Sequence, residues 1–168
     1  MLQEVVLCLS FLNYGGCKMR PFDHLTLMQF CWSTLSILGF SIWVNLKGWK
    51  IFLIALGGGL TWAFYLIFLY FSKSLLFSIF FSVFLVCTYS EVVARLSKIP
   101  VSVFVTCVII PLVPGRNLYY AMQAYIAGNS AVASENLYKV LLISGTIALA
   151  IAVVSSVTNI IFRLKDRF

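Results

Sequence analysis

The sequence predicts an all-α membrane protein, a bundle of five transmembrane helices whose fourth is broken at Pro111–Gly115. Three observations carry that fold class. The 168-residue chain is 62% hydrophobic and only 10% charged, with a mean hydropathy of +1.02, far outside what a water-facing surface allows. Five windows reach the roughly 20 mainly apolar residues that a helix needs to cross hydrocarbon. The fourth of them carries two prolines and a glycine in its middle, in the run Pro111-Leu112-Val113-Pro114-Gly115.

The windows are Leu25–Val44, Ile51–Phe71, Leu75–Ala94, Val101–Ile126 and Leu137–Phe162. Asn45 to Lys50 joins the first two, Ser72-Lys73-Ser74 the next, Arg95 to Pro100 the third, and Ala127 to Asn136 the last. None of these connections can hold a folded extramembrane domain. Residues 23–168 therefore form one five-helix transmembrane domain, and residues 1–22 are an N-terminal extension. Its Met1–Ser10 stretch lacks the basic start of a signal peptide, and Tyr14-Gly15-Gly16-Cys17-Lys18 is a poor cleavage site. Gly15-Gly16-Cys17-Lys18-Met19 is encodable as GGA-GGT-TGT-AAA-ATG, a ribosome-binding sequence spaced before a start codon. We therefore expect native translation from Met19, in a bacterial gene.

A proline inside a helix removes one backbone donor and clashes with the carbonyl four residues back, so the carbonyls of Cys107 and Ile110 lose their helical partners. Irregular backbone at membrane depth is tolerated only where protein buries it or where it lines a wet cavity, which is how transporters build solute sites. Val101–Ile110 and Asn117–Ile126 would each rise about 15 Å as helices, together matching a hydrocarbon layer of about 30 Å. That count puts the break near the midplane. The second half-helix then begins with free N–H groups at Arg116, Asn117 and Leu118, the positive end of a helix dipole. Arg116 adds a full charge with bidentate geometry for a carboxylate. The bland alternative is a kink in a packed helix, with Arg116 paired to Glu91, Glu135 or another chain. Tyr119 and Tyr120, one turn on, are placed to hydrogen-bond a hydroxyl or carboxylate, although such tyrosines more often pack or mark an interface.

Glu91 lies four residues before Arg95, the spacing of an ordinary helix ion pair, and is also the candidate for a proton-coupling carboxylate. Gly57-Gly58-Gly59 in the second window allows close backbone approach, most simply by another helix. Cys8, Cys17, Cys31, Cys87 and Cys107 show no CxxC spacing, so neither a disulfide framework nor a metal site is expected. One histidine, His24, and no carboxylate pair or phosphate loop leave catalysis nothing to build on, and no cofactor is expected. With no ATP-binding motif, a gradient or a partner must supply energy. The net charge of +7 sits at segment ends rather than along one face, which argues against nucleic acid. Lys47, Lys50, Arg95, Lys98, Arg163, Lys165 and Arg167 gather on one side against Lys18, Arg20, Lys73 and Lys139 on the other. By the positive-inside rule the N-terminus is outside and the C-terminus cytoplasmic.

The order Ser90-Glu91-Val92-Val93-Ala94-Arg95-Leu96-Ser97-Lys98-Ile99-Pro100, then Ile110-Pro111-Leu112-Val113-Pro114-Gly115, then Leu118-Tyr119-Tyr120-Ala121-Met122 resembles the small membrane subunit of the threonine/serine exporter family. Gly39-Phe40, Asn45 and the triple glycine fit that family's first two spans, and the likeness covers roughly Leu25 to Arg167. The resemblance implies a multi-pass protein of the bacterial plasma membrane that works with a larger subunit of the same family, and not an enzyme. It implies efflux of a small carboxylate-bearing solute, threonine or serine first, with a dicarboxylate such as succinate as the alternative. Arg116 departs from the small residue often found at that place. The resulting candidate site is Pro111, Pro114, Gly115, Arg116, Asn117, Tyr119 and Tyr120. A competing reading is a structural, non-transporting subunit. Five helices cannot form two equal inverted repeats, so partner helices or a second copy of the chain are expected.

Overall fold

The computed structural model describes residues 24–46, 48–97 and 100–165. The expected extension 1–22, the Met19 start and the basic residues Lys18, Arg20, Lys47, Lys98 and Arg167 lie outside them. Every regular element among the described residues is helical: α1 (His24–Trp43), α2 (Lys50–Ser72), α3 (Leu75–Leu96), α4 (Val101–Ile109), a 3-10 turn (Ile110–Leu112), α5 (Gly115–Ile126) and α6 (Ser130–Lys165). Three helices among them, α2, α3 and α6, are long and apolar enough to cross a membrane. A fourth crossing follows if the bent pair of α4 with its 3-10 turn and α5 counts as one span.

Each helix ends where its sequence offers a stop. α2 closes at Lys73, which takes a left-handed conformation (φ 52°) and donates its N–H to the Leu69 carbonyl at 3.1 Å. Ser74 then turns the chain into α3. Gly128 (φ 77°) closes α5, where a glycine meets the left-handed requirement without a Cβ clash. Asn129 starts α6 by accepting the Val132 N–H on its side-chain oxygen at 3.3 Å. α6 therefore begins seven residues before the apolar window that announced it. Its first turns are polar, and their hydrogen bonds and packing against α5 hold them helical.

α2 and α3 pack side by side, with α1 against α2, α6 against α3, and α4 against both α2 and α3. One core cluster joins Trp62, Ile79, Val83, Leu112, Ile143 and Ile147. A second joins Ile37, Ile54, Val86, Ala94, Phe104 and Val108 nearer the Lys50 and Arg95 end. In lipid there is no hydrophobic difference between helix and solvent, so contact depends on small residues and interhelical hydrogen bonds. The triple glycine supplies the first. A Cβ on Gly57 would come 3.0 Å from Val108 and 3.1 Å from the Tyr89 ring, and one on Gly59 2.8 Å from the Phe30 ring. A Cβ on Gly58 would run into Ile37. Neighbouring glycines thus admit α4 on one side of α2 and α1 on the other.

Hydroxyls supply the second. Ser33 donates to the Gly58 carbonyl at 3.1 Å, tying α1 to α2, and Ser82 donates to the Thr61 carbonyl at 2.7 Å, tying α3 to α2. The fully buried Thr61 hydroxyl lies 2.9 Å from the Gly57 carbonyl in its own helix and 3.0 Å from the Val108 carbonyl in α4.

Candidate functional site

The break falls where the two prolines put it. α4 stops at Ile109, the chain tightens into the 3-10 turn through Pro111, runs extended at Val113, and re-enters a helix at Gly115 with a bend of 60°. The Ile110 carbonyl, expected to lose its partner, accepts the Val113 N–H at 3.2 Å. The tighter turn instead withdraws the Leu112 amide from the carbonyl of Val108. Thr61 reaches that carbonyl from α2, and this is the interhelical bond that holds the broken end. A single threonine within an apolar window was its only trace in the sequence.

A cavity of about 150 Å³ lies against the break. Pro111, Pro114, Arg116 and Asn117 line it, together with Trp62 and Tyr65 of α2, Leu75 and Ile79 of α3, and Ile143 of α6. Four of the seven expected site residues are therefore brought together. Gly115 sits between them in the chain with open space around it. Tyr120 touches Arg116 from the other side, its ring centroid 5.0 Å from the guanidinium carbon and its hydroxyl accepting from Nη2 at 3.4 Å. Tyr119 is not among the lining residues and is exposed. Glu91, near the far end of α3, is not among the lining residues.

The cavity is electropositive. Gly115 donates to Val113 and Leu118 to Pro114, so the Leu118 amide, expected to be free, is taken. The amides of Arg116 and Asn117, at the second and third helical positions, have no acceptor within the helix. Arg116 has no acidic partner among the described residues: Glu91 pairs with Arg95 at 3.2 Å and Glu135 with Lys139 at 2.7 Å. Its Nη1 is shielded from solvent and has no hydrogen-bond partner among the described residues. A shielded guanidinium N–H without an acceptor costs on the order of 1–3 kcal/mol or more, and an acceptor brought to it would remove that cost.

The level of the break differs from the midplane expectation. Leu75 and Ile79 belong to the first turns of α3, so the cavity lies toward the Lys73 end of the bundle. The count of two half-helices assumed that both continue along one axis, and the 60° bend removes that assumption.

A family model described as Threonine/Serine exporter, ThrE, matches residues 29–157, a stretch that contains every residue lining the cavity. No curated protein and no solved structure matches the chain.

Proposed function

The chain belongs to the threonine/serine exporter family, and we propose that it is the small membrane subunit of a secondary exporter for a carboxylate-bearing metabolite, threonine or serine first. It acts beside a larger subunit of the same family in a bacterial plasma membrane, with five crossings made by α1, α2, α3, α4 with its break, and α6. The observation that carries the site is the unpaired, shielded Nη1 of Arg116 beside the open first turn of α5. A solute carboxylate placed between that guanidinium and the amides of Arg116 and Asn117 completes both. Trp62, its indole held by Gln29 at 3.3 Å, and Tyr65 supply an apolar wall for the rest of a small solute. Energy comes from a solute or ion gradient.

The dicarboxylate alternative has an observation of its own: no carboxylate among the described residues lines the cavity, so an amino acid's ammonium finds no acidic partner among them. The test is co-expression with the larger subunit and efflux from cells loaded with threonine, serine or succinate. A hydrogen bond to a charged group is worth about 1.5–3 kcal/mol, so Arg116→Ala should lower efflux of the true solute about tenfold or more. Arg116→Lys should recover part of it. If Arg116→Ala leaves efflux intact in an assembled complex, the chain is a structural subunit and the solute sits elsewhere.

A further inference from the structure

α6 is 36 residues long and about 54 Å by its helical rise, whereas the 23 residues of α2 come to about 35 Å, close to one bilayer. Packing identifies the end that overhangs. Ile143 shares the cavity with Leu75 and Ile79, so residues 130–142 extend past the turn between α2 and α3. Charge agrees: Glu135 and Lys139 lie in that overhang, and the run from Val140 to Ile161 carries none. The break agrees as well. Nine α-helical residues, three in the 3-10 turn and the extended Val113 carry the chain about 23 Å, roughly three quarters of a hydrocarbon layer, before Pro114 turns it into α5. α5 then folds back along the overhang of α6 through the three-residue turn 127–129, with Ala121 and Ala133 buried.

The composition of this hairpin differs from that of the bundle. Residues 115–142 hold four of the chain's eight tyrosines, Tyr119, Tyr120, Tyr125 and Tyr138, and none of its fifteen phenylalanines or four tryptophans. Tyr125 and Ile126 at the tip are 76% and 83% exposed. Phenol-bearing side chains favour the layer where an apolar ring and a hydroxyl are both served. Arg116, Glu135 and Lys139 leave the hairpin close to neutral, so no large electrostatic attraction is needed.

We propose that α5 and the first ten residues of α6 form an amphipathic hairpin that lies in the lipid headgroup layer on the Lys73 face of the membrane, with headgroups and shallow acyl chain as its partner. The inference rests on α2 and α3 crossing the bilayer and is independent of the solute. The test uses the full chain in phosphatidylcholine vesicles, with Cys8, Cys17 and Cys31 changed to serine. A fluorescent probe is attached to I126C at the hairpin tip or to L149C, midway along the uncharged run of α6. Quenching is compared between lipids bearing a nitroxide on the headgroup and lipids bearing it deep on the acyl chain. The I126C probe should be quenched at least twofold better by the headgroup nitroxide, and the L149C probe better by the deep one. Deeper quenching of the I126C probe would make α5 a membrane-crossing half-helix and overturn the proposal. So would quenching by aqueous iodide alone, which would place the hairpin clear of the lipid. Should I126C fail to insert, Y138C on the other arm of the hairpin carries the same expectation.

Discussion

The bundle around α2 and the hairpin of α5 with the start of α6 are both helix packed on helix, yet they are held together by different physics. In the bundle, glycines remove side chains so that backbones meet, and buried hydroxyls cross from helix to helix. In the hairpin, alanines pack one seam, and the side-chain hydrogen bonds of its α6 arm return to that arm or to its cap. Changes of equal size should therefore cost far more in the first region than in the second.

The largest effect is expected at Gly59. A leucine there must displace the Phe30 ring and Thr34 of α1, both packed against the glycine. Overpacking commonly costs about 1–3 kcal/mol, and here it would act on backbones in contact. Gly59→Leu should abolish the monodisperse peak in detergent, while Gly145→Leu on α6, where a Cβ meets nothing within 4 Å, should leave it intact. Equal losses would mean that close approach is not what holds the bundle.

Thr61→Val should come next. The swap keeps the shape and removes the hydroxyl, leaving the Val108 carbonyl beside the break without its cross-helix donor. Interhelical hydrogen bonds in membranes are worth about 0.6–2 kcal/mol, so a melting-temperature loss of a few degrees is expected, recovered by Thr61→Ser. Ser134→Ala in the hairpin should have no such effect, because that hydroxyl bonds only within its own helix turn.

These contrasts also separate what the sequence makes legible from what it does not. The helical windows and the break follow from hydropathy and from the missing donors of Pro111 and Pro114, both local properties. The close approach at Gly57–Gly59 is legible too, since a glycine triplet in lipid has few other uses. Thr61 and Ser82 were not, because many hydroxyls in apolar helices merely bond back four residues, as Ser41, Ser78 and Ser90 do here. The level of the cavity was hidden for a further reason: residue counting gives rise along an axis, and it cannot supply the bend at Val113–Pro114. That Arg116 lacks an acidic partner among the described residues depends on where Glu91 and Glu135 finish in space, which no spacing along the chain reveals.

The two acidic pairs sharpen the comparison most finely, because as sequence they are the same object. Glu91 with Arg95 and Glu135 with Lys139 are both a glutamate four residues ahead of a base. Glu91 is 7% exposed within the bundle, whereas the carboxylate of Glu135 stands open on the hairpin. An exposed pair gains little because solvent and salt screen it, so Lys139→Ala should leave the melting temperature unchanged. Arg95→Ala strips a shielded carboxylate of its counter-charge, at a cost of about 1–2 kcal/mol after allowing for the partly exposed guanidinium. Glu91→Gln, which removes the charge instead of isolating it, should cost less than Arg95→Ala. The same variant separates the two roles of Glu91. An ion pair that only braces α3 leaves the pH profile of efflux where it was, whereas a proton-coupling carboxylate takes the profile with it when it becomes an amide.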